Sequence, residues 1–298
     1  IPTSDRKVQE LQLEGTGPPV GSPEHAALAK EAGFDYRQVL GEAIYAYVVC
    51  RFDIAFAVTF LARSATCPMA KHYEALKHLL KYLRSTKDWG IVYWRDKKRT
   101  DLCDKLWVPP VLPANESDTT LPPFPSPKTM YELVGFVDAS HATCLKTRRS
   151  VTGMIFMLAG GAVYYKSKLQ PTVSTSSTKC ELIAAVQAAK VAKYLRSILA
   201  ELGHPQPDPT ILYEDNEAAI HVANDVRPTP RTRHVDIGYF AIQEWVQHGD
   251  IVLQYINTKI NISDSATKSL AWVLHRRHCR RGMGHLGHPL GYYSKPSS

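Results

Sequence analysis

No two cysteines in this chain stand at Cys-x-x-Cys spacing. The six present (Cys50, Cys67, Cys103, Cys144, Cys180, Cys279) are scattered through 298 residues. That excludes a zinc ribbon and a dense disulfide framework, and predicts reduced thiols in an intracellular compartment, cytoplasm or nucleus. The sequence also lacks an uninterrupted apolar run of the roughly 18 residues a membrane helix needs, and a basic-then-apolar leader. Membrane insertion and secretion are therefore not expected. An initiating methionine is absent too: the chain opens on Ile1, so it reads as a fragment or a processed product. What remains is globular in composition, 44% hydrophobic, with a net charge of +8. Such a basic balance fits a polyanionic partner.

Pattern divides the chain into five stretches. Residues 1–35, rich in proline, glycine and charge, read as an irregular strap or linker. Residues 36–95 are helical by spacing, with helices over Tyr36–Val49, about Asp53–Ala65 and Ala70–Ser85. In the last of these, Tyr73, Leu76, Leu80 and Leu83 form an apolar stripe that needs a partner surface, and nothing in it resembles a catalytic site. A short strand is expected at 89–94. Residues 96–130 carry Pro109, Pro110, Pro113, Pro122, Pro123, Pro125 and Pro127, too many for a regular helix or central strand, and read as a linker or insertion. From Tyr131 to residue 270 strands and helices alternate: strands at 132–138, Ser150–Leu158, Ala162–Lys168, 211–213 and 251–256, and a long helix from Thr178 to about Leu202. Further helices start near Asp215 and Val235. The glycine pair at 160–161 marks a hairpin. The fold class is α/β, a mixed five-stranded sheet flanked by helices and preceded by a small helical segment. Residues 271–298 read as a flexible, basic, His-rich tail attracted to nucleic acid.

Four acids fall at strand ends and helix starts: Asp138, Glu181, Asp215 and Asp264. Carboxylates gathered in this way can hold two hard divalent cations, the arrangement that serves phosphodiester displacement. Each has a plainer explanation. Asp138 can start a turn, Thr178-x-x-Glu181 has the form of a capping box, and Asp215 and Asp264 can be helix N-caps.

In order along the chain, Val137-Asp138-Ala139-Ser140, Arg148-Arg149-Ser150-Val151-Thr152-Gly153, 166–173, Ser176-Ser177-Thr178-Lys179-Cys180-Glu181, Glu214-Asp215-Asn216, Arg231-Thr232-Arg233-His234 and Ser263-Asp264-Ser265-Ala266-Thr267-Lys268 together resemble the ribonuclease H domain of copia-type retrotransposon polyproteins. Residues 36–95 resemble the connection that precedes it in the reverse transcriptase. Transposase and integrase cores place their glutamate last, whereas here it is second. The chain departs from the family in carrying Lys179 near Glu181, where an acid is usual, and Phe52 before Asp53, where proline is common. No Tyr-x-Asp-Asp stretch is present, so no polymerase activity is expected, and the polymerase domain would lie upstream, outside this chain.

The resemblance implies a metal-dependent endoribonuclease that hydrolyses the RNA strand of an RNA–DNA hybrid, with two Mg²⁺ ions (or Mn²⁺ in their place). It implies that Asp138 bridges both metals, Glu181 and Asp215 hold the first and Asp264 helps hold the second. Lys146, Arg148, Arg149, Lys166, Lys168, Arg231 and Arg233 are candidate phosphate contacts, positioning a duplex without reading its sequence. The histidine that many cellular ribonucleases H carry before the final acid is missing from 257–260. A second reading is a domesticated protein that keeps the fold as a nucleic-acid-binding or structural part of a larger assembly. In the tail, His275, His278, Cys279, His285 and His288 match no standard zinc spacing.

Overall fold

The computed structural model describes residues 5–13, 15–94, 121–224 and 237–285. One mixed sheet forms its centre, built from β1 (Val134–Ser140), β2 (Val151–Leu158), β3 (Gly161–Leu169), β4 (Thr210–Glu214) and β5 (Ile251–Tyr255). The strands lie in the order β3-β2-β1-β4-β5. β2 runs antiparallel to both neighbours, and β1, β4 and β5 are parallel. Ala159 and Gly160 join β2 to β3, both with left-handed backbone (φ 51° and 81°), the conformation a two-residue hairpin loop requires.

The helices are α1 (Asp5–Leu13), α2 (Pro23–Ala32), α3 (Tyr36–Val49), α4 (Ala55–Ala62), α5 (Ala70–Ser85), α6 (Ser177–Glu201), α7 (Glu217–Asn224), α8 (Ile237–Gln247), α9 (Asp264–Thr267) and α10 (Trp272–Gly282). Strand alternation splits the core between two faces of the sheet. On one face Val137, Met154, Phe156, Leu212 and Leu253 meet α6, whose Ala184, Ala185, Ala188, Ala189 and Ala192 let it lie close. On the other, Phe136, Ile155 and Tyr213 pack with Phe52, Ile262 and Met283.

Helices α2 to α5 have a core of their own, with Tyr36, Leu40, Ile54, Leu76 and Leu79 at its centre. This unit docks on the edge strand β3. Tyr47 Oη accepts from the Ser167 backbone N–H at 3.3 Å, Tyr165 Oη donates to the Val48 carbonyl at 3.2 Å, and Thr59 Oγ1 meets Ser167 Oγ at 3.0 Å. An edge that would otherwise offer free backbone groups is thus covered. At the junction, the buried Arg51 guanidinium grips Asp53 with two bonds (2.9 and 2.8 Å) and also donates to Thr86.

Three expectations need correction. Residues 1–35 are not an irregular strap throughout, since they hold α1 and α2. Ser22 caps α2 by accepting from the His25 N–H, and Gly33 closes it with φ 84°. Residues 89–94 form no strand. Val92 N–H donates to Met283 and Trp94 N–H to Ala159, single bonds to two separate segments rather than a ladder. The tail is structural as far as residue 285: His275, His278, Cys279 and Arg280 of α10 are buried, and His275 Nε2 lies 3.1 Å from the Asp53 carbonyl. No described helix is long and apolar enough to cross a membrane. Of the Pro-rich stretch, 121–130 runs along the sheet with Phe124 stacked on Phe136 (5.1 Å), and 96–120 lies outside the described residues.

Candidate metal centre

The parallel pairing of β1 with β4 creates the site. The register that sets Phe136 beside Tyr213 brings Asp138 level with Asp215 when continued by two residues. Both then share the face of Phe136 and Tyr213, while Glu214 falls on the opposite face, toward α6. Glu181 comes from the first turns of α6. Asp264 comes from α9, which follows a buried turn held by Asn261: its Nδ2 donates to the Val137 carbonyl at 2.9 Å and its Oδ1 accepts from Ser263 Oγ at 2.6 Å.

The four expected acids therefore converge, together with a fifth, Glu214. One oxygen from each of Asp138, Asp215 and Asp264 lies within 4.8 Å of the others, and the same holds for Glu181, Glu214 and Asp215. Asp215 is common to both groups. The plainer explanations do not describe these positions. The cap of α6 is Ser176, which accepts from the Lys179 N–H, so Glu181 closes no capping box. The cap of α7 is Asn216, whose Oδ1 accepts from the Ala219 N–H. Asp138 lies within β1, paired with Gly153.

Positioning is tight. Thr267 Oγ1 donates to Asp138 Oδ2, and Lys268 Nζ pairs with Asp264 Oδ1 at 2.8 Å. Gly153 leaves the room α9 needs: a Cβ there would lie 2.5 Å from Thr267 Cγ2 and 2.9 Å from the Ser263 carbonyl oxygen. Burial and mutual repulsion push the carboxyls up. Glu181 rises to about 12, through burial and then Glu214, and Asp264 to about 8, through burial and then Asp138. Glu214 and Asp138 rise as well, burial again coming first. Burial lowers the Lys268 pKa, but the Asp138 and Asp264 carboxylates outweigh it and the net shift is upward.

The donor set fits a hard divalent cation. It is all oxygen, its five carboxyl groups face a single lysine, and two of its buried oxygens, Glu181 Oε2 and Glu214 Oε2, have no hydrogen-bond partner. The two acidic groups can thus coordinate divalent metal. Among the described residues no histidine or cysteine belongs to such a group, and His288 lies outside them.

The expected basic contacts are more dispersed. Lys146 and Arg148 are exposed and Arg149 half-buried in the loop after β1, which α1 steadies through Gln12 Oε1, accepting from the Leu145 N–H at 2.7 Å. Lys166 and Lys168 lie on β3 opposite Met154 and Thr152, on the α6 face of the sheet. Arg231 and Arg233 lie outside the described residues. Sequence reasoning missed Glu214, Asn261, Thr267, Lys268 and the reason for Gly153. For Glu214 a signal existed, because adjacent acids at a strand end must face opposite sides of the sheet.

No family profile matches the chain. It is 32% identical over 267 residues to the retrovirus-related Pol polyprotein of transposon TNT 1-94 from Nicotiana tabacum, a match covering 90% of this chain and 17% of that polyprotein. It is 33% identical over 160 residues to secreted RxLR effector protein 161 of Plasmopara viticola, covering 54% of this chain and 90% of that one. Among solved structures, LC11-RNase H1 isolated from compost aligns over 46% of this chain and 94% of its own, at 14% identity and a TM-score of 0.35. The chain accordingly spans only a small part of the transposon polyprotein it matches along most of its own length. Its sequence is related to retrovirus- and retrotransposon-Pol proteins over most of its length, and its mixed five-stranded sheet flanked by helices has the ribonuclease H-like α/β fold.

Proposed function

We propose that the chain is the C-terminal part of a copia-type Pol protein and a metal-dependent endoribonuclease that hydrolyses the RNA strand of RNA–DNA hybrids. In this reading residues 36–95 are the reverse-transcriptase connection, and the polymerase lies upstream. The observation that carries it is the convergence of Asp138, Asp215 and Asp264 within 4.8 Å at the ends of two parallel strands. When bound there, Mg²⁺ or Mn²⁺ supplies Lewis-acid polarisation and neutralises charge on the scissile phosphate.

The chain's own residues do the rest. Asp138, oriented by Thr267, and Asp264, oriented by Lys268, present carboxylate oxygens at fixed positions on rigid elements. Asp215 completes the group from the end of β4. Lys146, Arg148, Arg149, Lys166 and Lys168, with Arg231 and Arg233, hold hybrid phosphates. The 2′-hydroxyls across the minor groove distinguish the RNA strand from DNA.

The test is incubation of the full chain with end-labelled hybrid and Mg²⁺ or Mn²⁺. Cleavage of RNA with the DNA strand spared is expected. Intact RNA with folded, metal-loaded protein defeats the enzyme reading. It would favour the second one, a fold kept for binding or scaffolding, to which the base at Lys179 and the ion pair already holding Asp264 lend weight.

A further inference from the structure

Arg281, in the last turn of α10, is a half-buried cation for which the fold supplies no countercharge. Its neighbours Arg276, Arg277 and Arg280 all have partners, whereas among the described residues no oxygen takes a hydrogen bond or ion pair from the Arg281 guanidinium. We infer that the cleft lined by Arg281 binds the carboxylate of an organic acid through that guanidinium, with a short apolar stem lying against the cleft walls.

The cleft sits at the hairpin end of the sheet, beside Gly160, where α10 meets the segment 124–127. Phe124, Val134, Met157 and Leu158 give it apolar walls. The Phe124 ring is stacked on the core ring of Phe136, and the Arg281 guanidinium lies over it, 4.5 Å from its centroid. That contact fixes where the cation sits. A ring attracts a cation but offers its N–H groups no oxygen. Burial lowers the Arg281 pKa to about 10, with no neighbouring acid raising it, so the group is charged at neutral pH and still lacks an anion.

The surroundings select the ligand. A carboxylate can accept two parallel N–H bonds from a guanidinium, and a hydrocarbon stem displaces water from the apolar walls. The space, about 50 Å³, takes a few heavy atoms and is too small for a nucleobase. Glu132 lines the same cleft, with Oε2 accepting from the Lys128 N–H, and its charge opposes a dianion such as phosphate more than a single carboxylate. Val134 and Asp138 are four residues apart on one face of β1, roughly 13 Å at the usual strand rise, so this cleft is separate from the acidic centre.

The test is titration of the full chain, labelled at its methyl groups for nuclear magnetic resonance, with sodium butyrate. Butylammonium chloride and inorganic phosphate at matched ionic strength are the comparisons. Butyrate should shift the Met157 and Leu158 methyl resonances to saturation, and the other two should not. Arg281→Gln should weaken butyrate by roughly tenfold or more, the weight of one charge-assisted hydrogen bond. Glu132→Gln should tighten it, by removing the opposing charge. A capped Pro-Glu-Pro peptide separates the sources of the carboxylate. Tighter binding than butyrate identifies an acidic side chain of a polypeptide, and weaker binding a free acid. No saturable shift with butyrate, an equal response to phosphate, or unchanged affinity in folded Arg281→Gln overturns the proposal. Should Arg281→Gln fold poorly, Glu132→Gln decides, and unchanged or weaker butyrate binding there overturns it as well.

Discussion

Gly153 faces Asp138 across the β1–β2 ladder, and α9 rests on the space its missing side chain leaves. A methyl group there would meet Thr267 Cγ2 at 2.5 Å and Ala266 Cβ at 3.1 Å, with the Ser263 carbonyl behind. The same helix supplies Thr267 to Asp138 and Asp264 to the metal centre. Gly153→Ala should therefore push α9 off the sheet, at about 1–3 kcal/mol for overpacking. Loss of cleavage should exceed what that destabilisation explains. Chemical denaturation and Mg²⁺ titration of activity check both, and an Ala variant with wild-type metal dependence would show that α9 does not need this contact.

Asp138→Asn should abolish cleavage and leave the fold intact. Asn keeps an oxygen for the Thr267 hydroxyl but removes the negative charge a cation needs. Burial and the Asp215 charge already hold the Asp138 carboxyl above its usual range, so its removal relieves repulsion in the metal-free protein. Its melting temperature without metal should match or exceed wild type, and the rise on adding Mg²⁺ should shrink. Turnover near wild type would make Asp138 a structural residue of β1 and not a metal ligand.

Most of this arrangement was legible where a segment's periodicity and its final environment agree. Tyr36–Val49 and Ala70–Ser85 show the apolar spacing of helices that bury one side, and the hairpin announced itself through Gly160. Helix α2 was hidden by the prolines and glycines around it, yet Ser22-Pro23 and Gly33 are its start and stop signals. Helix α10 was unreadable because His275, His278 and Arg280 are buried only by tertiary packing, with Cys279 and Met283 turned inward. At the site, chain order was enough to find four acids. Glu214 needed the register of β4, and Lys268 needed α9 folded back toward β1.

Without metal, stability should fall as pH rises above neutrality. Asp264 titrates near 8 and Glu181 near 12 in the folded protein, against roughly 4 for such groups when unfolded. Between those values the unfolded chain has released protons that the folded one retains, so the folded state loses ground with each pH unit. Buried histidines oppose this at lower pH. His278 is pushed down to about 3 and His275 well below its usual value, so protonation of the unfolded chain weakens the fold as pH drops below about 6.5. The clean window is therefore pH 6.5 to 8. There the metal-free melting temperature should decline, Asp264→Asn should flatten the decline, and Mg²⁺ should stabilise more at pH 8 than at 6.5. A metal-free profile that rises across this window would mean the carboxylates are not held protonated.

Arg51 should matter far more to stability than its position outside the sheet domain implies. Its guanidinium and Asp53 form a bidentate pair with side chains 7% and 0% exposed, and Tyr82 Oη donates to the same carboxylate at 2.8 Å. Beside this pair Phe52 enters the sheet core, and the Asp53 carbonyl meets His275 of α10. One charge pair thus fastens the helical unit, the sheet and the last helix together. Arg51→Met leaves the Asp53 carboxylate buried without its countercharge, which should cost about 3–5 kcal/mol. The Arg51→Met/Asp53→Leu double variant removes both charges and should cost less than the single one, leaving mainly the Tyr82 hydroxyl unpaired, at about 1–3 kcal/mol. Urea unfolding of the three proteins separates the cases. If the double variant is weaker than Arg51→Met by the full cost of a second independent lesion, the two residues do not act as a pair.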